Sequence, residues 1–248
     1  LGRANFPVSK LLLSLLMAGS ISSAFADSVL PSCATATLSS YIANTVFPGG
    51  GCAIGDLDYY QFSYHAVSNA PSDTAILVSQ SALGTGFNFS LVNGLPFTAA
   101  AGEIVEFEID YNILIDPAPV IPQGKLSVDP PSGDVTITQY YCNDKPYEGS
   151  GYCLGGLAPI LQVGTPETGL PYSATITFSK PVTTSQGTGI LFTLEGLNGK
   201  PSTFDGVDST STLVYLDTPE PAPWACLILG LSFLGAGYKP RKQRNPAK

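Results

Sequence analysis

Between positions 103 and 115 the chain alternates without interruption: Val105, Phe107, Ile109, Tyr111 and Ile113 interleave with Glu106, Glu108, Asp110 and Asn112. A period of two sends successive side chains to opposite faces, so this stretch reads as a strand with one row on a core and the other in water. Shorter runs of the same kind occur at 59–65, 75–81, 87–92, 126–129, 135–141, 160–163, 174–178, 190–194 and 212–216, bounded by Gly, Pro, Asn or Asp. With 26 Gly, 21 Pro and only 12% charged residues, long amphipathic helices are not expected. Ten strands at this spacing predict an all-β domain, an antiparallel β-sandwich of jelly-roll-like type. An open barrel would use the same strands and is the competing architecture.

The two ends read as addresses flanking this domain. Residues 1–26 have the form of a signal peptide: Arg3 and Lys10 are the positive region and 11–21 the apolar run. Ala24 and Ala26 then place small residues at −3 and −1 of a signal-peptidase site, with cleavage before Asp27. The domain is expected over 27–217. The segment 218–248 carries Pro219, Glu220 and Pro221, an apolar stretch at 224–238, and a basic stop of Lys239, Arg241, Lys242 and Arg244. As a helix the apolar stretch would rise only about 22 Å, short of a bilayer core of roughly 30 Å, which suits a transient transmembrane helix better than a permanent anchor. The basic end would stay on the cytoplasmic side of the inner membrane, with the domain outside.

In that order, the Pro219-Glu220-Pro221 triplet, the short apolar helix and the basic tail resemble the PEP-CTERM sorting signal of Gram-negative bacteria. The resemblance implies recognition by exosortase, a membrane cysteine protease-transpeptidase, and removal of the tail. It also implies release or attachment at the cell envelope of bacteria that make exopolysaccharide. Residues 38–42 (Leu-Ser-Ser-Tyr-Ile), 51–56 (Gly-Cys-Ala-Ile-Gly-Asp) and 60–64 (Tyr-Gln-Phe-Ser-Tyr) are similar to a pattern in exported PEP-CTERM proteins and name no activity.

Four cysteines, Cys33, Cys52, Cys142 and Cys153, lie in the exported region and Cys226 in the apolar tail. Four allow three pairings, and proximity favours Cys33 with Cys52 and Cys142 with Cys153. Their spacing does not match the close pairs zinc prefers, so no metal is expected. All 19 Asp and Glu fall between Asp27 and Glu220, where the cations are Lys125, Lys145, Lys180 and Lys200 alone, which argues against nucleic acid as a partner.

Chemistry is sparse. His65 is the single histidine, expected at a strand edge and not in a catalytic triad. Glu106, Glu108 and Asp110 share one strand face at a spacing of about 7 Å, from which a glycosidase pair could be built. The preferred reading is a solvated face: Phe107 and Ile109 buried, Glu106 and Glu108 in water. The fragment Asp205-Gly206-Val207-Asp208 is expected to be an ordinary turn in preference to a calcium loop. Tyrosines bunch at Tyr59, Tyr60 and Tyr64 and at Tyr140, Tyr141, Tyr147 and Tyr152; core packing is preferred for them over a sugar-stacking surface. The resulting expectation is an exported, non-enzymatic structural or interaction protein of biofilm or exopolysaccharide, without cofactor, catalytic or metal residues. A carbohydrate-binding module for the producer's polysaccharide is the alternative, and a glycoside-active enzyme a more distant one.

Overall fold

Each of the ten expected runs overlaps a strand of the computed structural model, which describes residues 30–43, 50–115, 119–145, 147, 149, 151–154 and 156–215. In chain order the strands are β1 (Ala36–Thr37), β2 (Gly51–Ile54), β3 (Leu57–Ser68), β4 (Ile76–Gln80), β5 (Thr85–Leu91), β6 (Phe97–Ala99), β7 (Ile104–Ile115) and β8 (Pro119–Val128). They continue as β9 (Asp134–Asn143), β10 (Tyr152–Cys153), β11 (Gly156–Leu157), β12 (Ile160–Gly164), β13 (Ser173–Val182), β14 (Ser185–Glu195), β15 (Ser202–Phe204) and β16 (Gly206–Tyr215). A short helix α1 (Leu38–Ile42) follows β1.

Two antiparallel six-stranded sheets face one another, ordered β1-β4-β5-β16-β8-β13 and β12-β9-β14-β7-β3-β2. From β7 onward the long strands β7, β8, β9, β13, β14 and β16 alternate between the two sheets, and the apolar rows of both are buried in one layer between them. Phe107 and Phe192 stack at 4.5 Å and 10°, Phe97 and Phe204 at 4.6 Å and 17°. Burying such a ring contributes about 1.5–3 kcal/mol. The inner row of β7 is as expected: Phe107 and Ile109 are fully buried.

Two strands are much longer than their alternation suggested. The run at 126–129 is only the end of β8, whose Pro119, Pro122 and Gly124 disguise a strand paired on both sides. Gly124 is there because the Tyr141 ring lies over it; a β-carbon would stand 2.5 Å from the Tyr141 hydroxyl. The run at 212–216 is the end of β16, which begins at Gly206. The 205–208 fragment is therefore not a turn: Asp208 pairs with Ser127 and Asn88 in mid-sheet.

Both expected disulfides form, Cys33–Cys52 with Cα atoms 4.8 Å apart and Cys142–Cys153 with 5.3 Å. Closing loops of 19 and 11 residues, each stabilises by about 3 kcal/mol in the chain-entropy account. The expected signal peptide with Ala24, Ala26 and Asp27, the triplet Pro219, Glu220 and Pro221, and the tail with Lys239, Arg241, Lys242 and Arg244 lie outside the described residues. Among the described residues no helix is long and apolar enough to cross a membrane.

Candidate functional site

The outer face of the β7 sheet carries a polar pocket of about 250 Å³, lined by Gln61, Ser63, His65, Asp110, Tyr111, Asn112, Tyr147 and Gly149. A β-bulge in β3 builds one wall. Leu57 and Tyr59 face the core, and unbroken alternation would send Gln61, Ser63 and His65 there too. The register instead shifts between Tyr60 and Ser63, with Gln61 in the left-handed region at φ 54°. One extra residue reverses the facing of everything after it. Phe62 and Tyr64 turn inward, while Ser63 and His65 come to lie opposite Asp110 and Glu108.

The lid comes from the loop between β9 and β10, tied at both ends. Cys142–Cys153 closes it. Asp144 anchors its start: Oδ1 accepts the amides of Thr183 and Thr184 at 3.1 and 3.0 Å and the Thr184 hydroxyl at 2.9 Å. Burial pushes the Asp144 carboxyl up, but these hydrogen bonds outweigh it and hold the carboxyl below its ordinary range. The loop lays Tyr147 over the sheet, its ring stacked on Tyr140 at 6.0 Å and 19°. Gly151 N donates to the Tyr147 hydroxyl at 2.7 Å, and that hydroxyl donates to Glu108 Oε1. Burial and the bond to Glu108 raise the Tyr147 phenol further.

This lid overturns the expectation that Glu108 stands in solvent. Glu108 is 7% and Asp110 8% exposed, because Tyr147 covers what alternation alone would leave open. Ser63 Oγ donates to Asp110 Oδ2 at 3.0 Å, and His65 Nε2 lies 3.2 Å from the same oxygen. Asp110 Oδ1 is buried with no donor from the protein. Asp110 and Glu108 are neighbours on the same outward row of β7. Burial first, and then the neighbouring Glu108 charge, push Asp110 up to about 7 against the opposing bond from Ser63. Burial thus favours the protonated form of Asp110.

Ser63, His65 and Asp110 do not make a nucleophilic triad. Serine and histidine both address Asp110 Oδ2, so nothing orients the imidazole to take the serine proton. Among the described residues no group of three or more His, Cys, Asp or Glu could hold a metal ion. The tyrosine bunches divide as core packing requires, with Tyr59 and Tyr141 buried, Tyr140 beneath Tyr147, and Tyr152 left 54% exposed. Sequence reasoning missed Ser63 and Tyr147 as partners of the carboxyls. The available signal was Gly187 and Gly189 inside a strand, since a glycine there marks something lying close on the backbone.

No family model and no curated protein matches the chain. Among solved structures it is similar to TmCBM61 in complex with β-1,4-galactotriose, at 14% identity and a TM-score of 0.32, over 61% of this chain and 88% of that one. It is also similar to the enzymatically active domain of bacteriophage CBA120 tailspike protein 4, at 9% identity and a TM-score of 0.29, over 61% of this chain and 19% of that one. At these TM-scores neither likeness carries an argument.

Proposed function

We propose that the protein is an exported PEP-CTERM substrate whose jelly-roll-like sandwich binds polysaccharide through the outer-face pocket, without catalysing a reaction on it. The observation that carries this reading is the outer-face pocket itself, a concave polar site lined by the amides of Gln61 and Asn112, the Ser63 hydroxyl, the Asp110 carboxyl and Tyr147. Carboxyls and amides match the paired donors and acceptors of sugar hydroxyls, and an aromatic edge gives the ring something to rest on. A volume of 250 Å³ suits one sugar ring or a chain end better than a stretch of polymer.

The placement of the carboxyls supports binding over cleavage. A glycosidase needs both carboxyls to flank one substrate position, whereas Asp110 lines the pocket and Glu108 is covered by Tyr147. Two disulfides suit an oxidising compartment, and the succession of Pro219-Glu220-Pro221, apolar run and basic end in the sequence supports delivery by signal peptidase and exosortase to the envelope or extracellular matrix. The test is a glycan array that includes the producer's own exopolysaccharide, followed by calorimetry on the purified full chain. Tyr147→Ala should weaken glycan binding at least tenfold, and Tyr152→Ala should leave it unchanged. Retention of no glycan, or equal binding by wild type and Tyr147→Ala, would sink the reading.

A further inference from the structure

A sheet edge presents unpaired amides and carbonyls, so the way each edge is closed bears on what the protein meets. β2 is covered by the segment before it: Ala53 N donates to Pro31 O at 2.9 Å and Cys33 N to Ala53 O at 3.0 Å. β4 is covered by β1. β12 runs only from Ile160 to Gly164, and Gly164 N donates to Pro171 O at 3.0 Å. β13 differs, because it ends its sheet and no described residue pairs with its outer side.

The inner pairing of β13 fixes which groups it presents. Val128 N donates to Tyr172 O at 2.9 Å, so Tyr172, Ala174 and Ile176 hydrogen-bond to β8 while Ser173, Thr175 and Thr177 turn their N–H and C=O outward. Those three residues are exposed. Regular pairing with β8 runs to Thr177, where the register shifts, and Lys180 and Pro181 blunt the edge beyond it.

We propose that β13 is the contact through which two copies of this chain pair, antiparallel about a twofold axis at Thr175, so that two six-stranded sheets become one. In that register Thr175 meets its own counterpart, Ser173 meets Thr177, Ala174 meets Ile176 and Tyr172 meets Phe178. Each outward residue exchanges both backbone hydrogen bonds with its opposite. Hydroxyls oppose hydroxyls on the outer face, and small Ala174 opposes Ile176 on the inner one. Ala174 and Ile176 point into the core yet are only partly covered, because the sheet stops beside them; a second β13 covers them.

Charge selects a second copy as the occupant. The chain carries −8, so copies repel over most of their surface. From 168 to 194 it has no Asp or Glu, and Lys180 is the one charged residue. The open edge therefore lies where two copies approach without opposing carboxylates, and a strongly charged partner finds no opposite charge along it. This pairing uses the sheet opposite the pocket and does not depend on the glycan reading.

The test is sedimentation velocity on the purified full chain, which should show a monomer–dimer equilibrium. Thr175→Pro removes an outward amide that the single chain leaves unused, and Thr175→Lys sets two ammonium groups face to face. Each should weaken the dimer by about tenfold or more and leave the thermal midpoint of dilute protein unchanged. Facing Cα atoms in such a pair lie about 5.5 Å apart, within the span of a disulfide. With Cys226→Ser in place, Thr175→Cys should therefore cross-link into a dimer in air, and Leu83→Cys, at a position 56% exposed, should not. A monomer at every concentration would overturn the proposal. A dimer unchanged in both Thr175 variants would place association on another face or in the apolar stretch at 224–238 and overturn it too. Assemblies larger than two that Thr175→Pro dissolves would mean that β13 adds to a different strand, which overturns the twofold pairing. Cross-linking of Leu83→Cys as readily as Thr175→Cys would reduce the dimer to chance collision.

Discussion

The ring of Tyr147 lies directly on Gly189: any β-carbon at 189 would fall inside the ring's van der Waals envelope. Gly189 is paired with Asp110 on one side and Tyr140 on the other, so the bare backbone there is the seat on which the lid closes over the carboxyls. Gly189→Ala should displace Tyr147 and break its bond to Glu108, costing about 1–3 kcal/mol as overpacking does. A denaturant midpoint indistinguishable from wild type, with glycan binding intact, would show that the lid does not depend on this seat.

Asp110 makes stability depend on pH in a definite direction. Its folded-state carboxyl titrates at about 7, well above the ordinary value it has when unfolded. The unfolded state therefore loses the proton first as pH rises, and the stabilisation present below pH 4 drains away until pH 7 is passed. Asp110→Asn removes the titration. The advantage of Asn over Asp in thermal midpoint should grow between pH 4 and pH 7 and stay constant above. A constant difference across the range would show that Asp110 is not held protonated.

The two faces of β7 should respond unequally. Phe107→Ala removes a fully buried ring stacked on Phe192 and should cost about 3–5 kcal/mol. Glu106→Ala, at a half-exposed position on the other face, should stay within about 0.5 kcal/mol. Urea titrations compare the two directly, and similar midpoints would mean the inner row is misassigned.

The bulge at Gln61 should tolerate a change of residue and also its removal. Gln61→Gly suits the positive φ and should leave stability unchanged or raise it by up to about 1 kcal/mol. Deleting Gln61 removes only the extra residue, leaves Phe62 and Tyr64 facing inward and Ser63 and His65 outward by plain alternation, and should preserve cooperative unfolding. A deletion variant that fails to fold would contradict this account of the bulge.

Processing of the tail is checked by intact mass. Protein from a host carrying exosortase should lack residues 224–248, and Glu220→Ala should remain a membrane-bound precursor. Wild-type protein from such a host that retains Lys248 would make the tail a simple anchor.

Period-two alternation, the turn residues and the cysteine spacing were sufficient by themselves for the all-β class, the inner row Val105 to Ile113 and both disulfides, because each is a local property of the chain. They could not show β8 from its beginning, where Pro119, Pro122 and Gly124 hide a strand whose pairing and packing override its propensity. They also left Glu108 and Asp110 as a solvated face, which is all that alternation can say about an outward row. Only the tertiary structure decided that this row is a site. Gln61 reverses the facing of β3 by a single residue, and a disulfide-closed loop 39 positions away along the chain lays Tyr147 over Glu108. Burial on the outside of a sheet depends on what another segment places there, and no pattern within one strand contains that information.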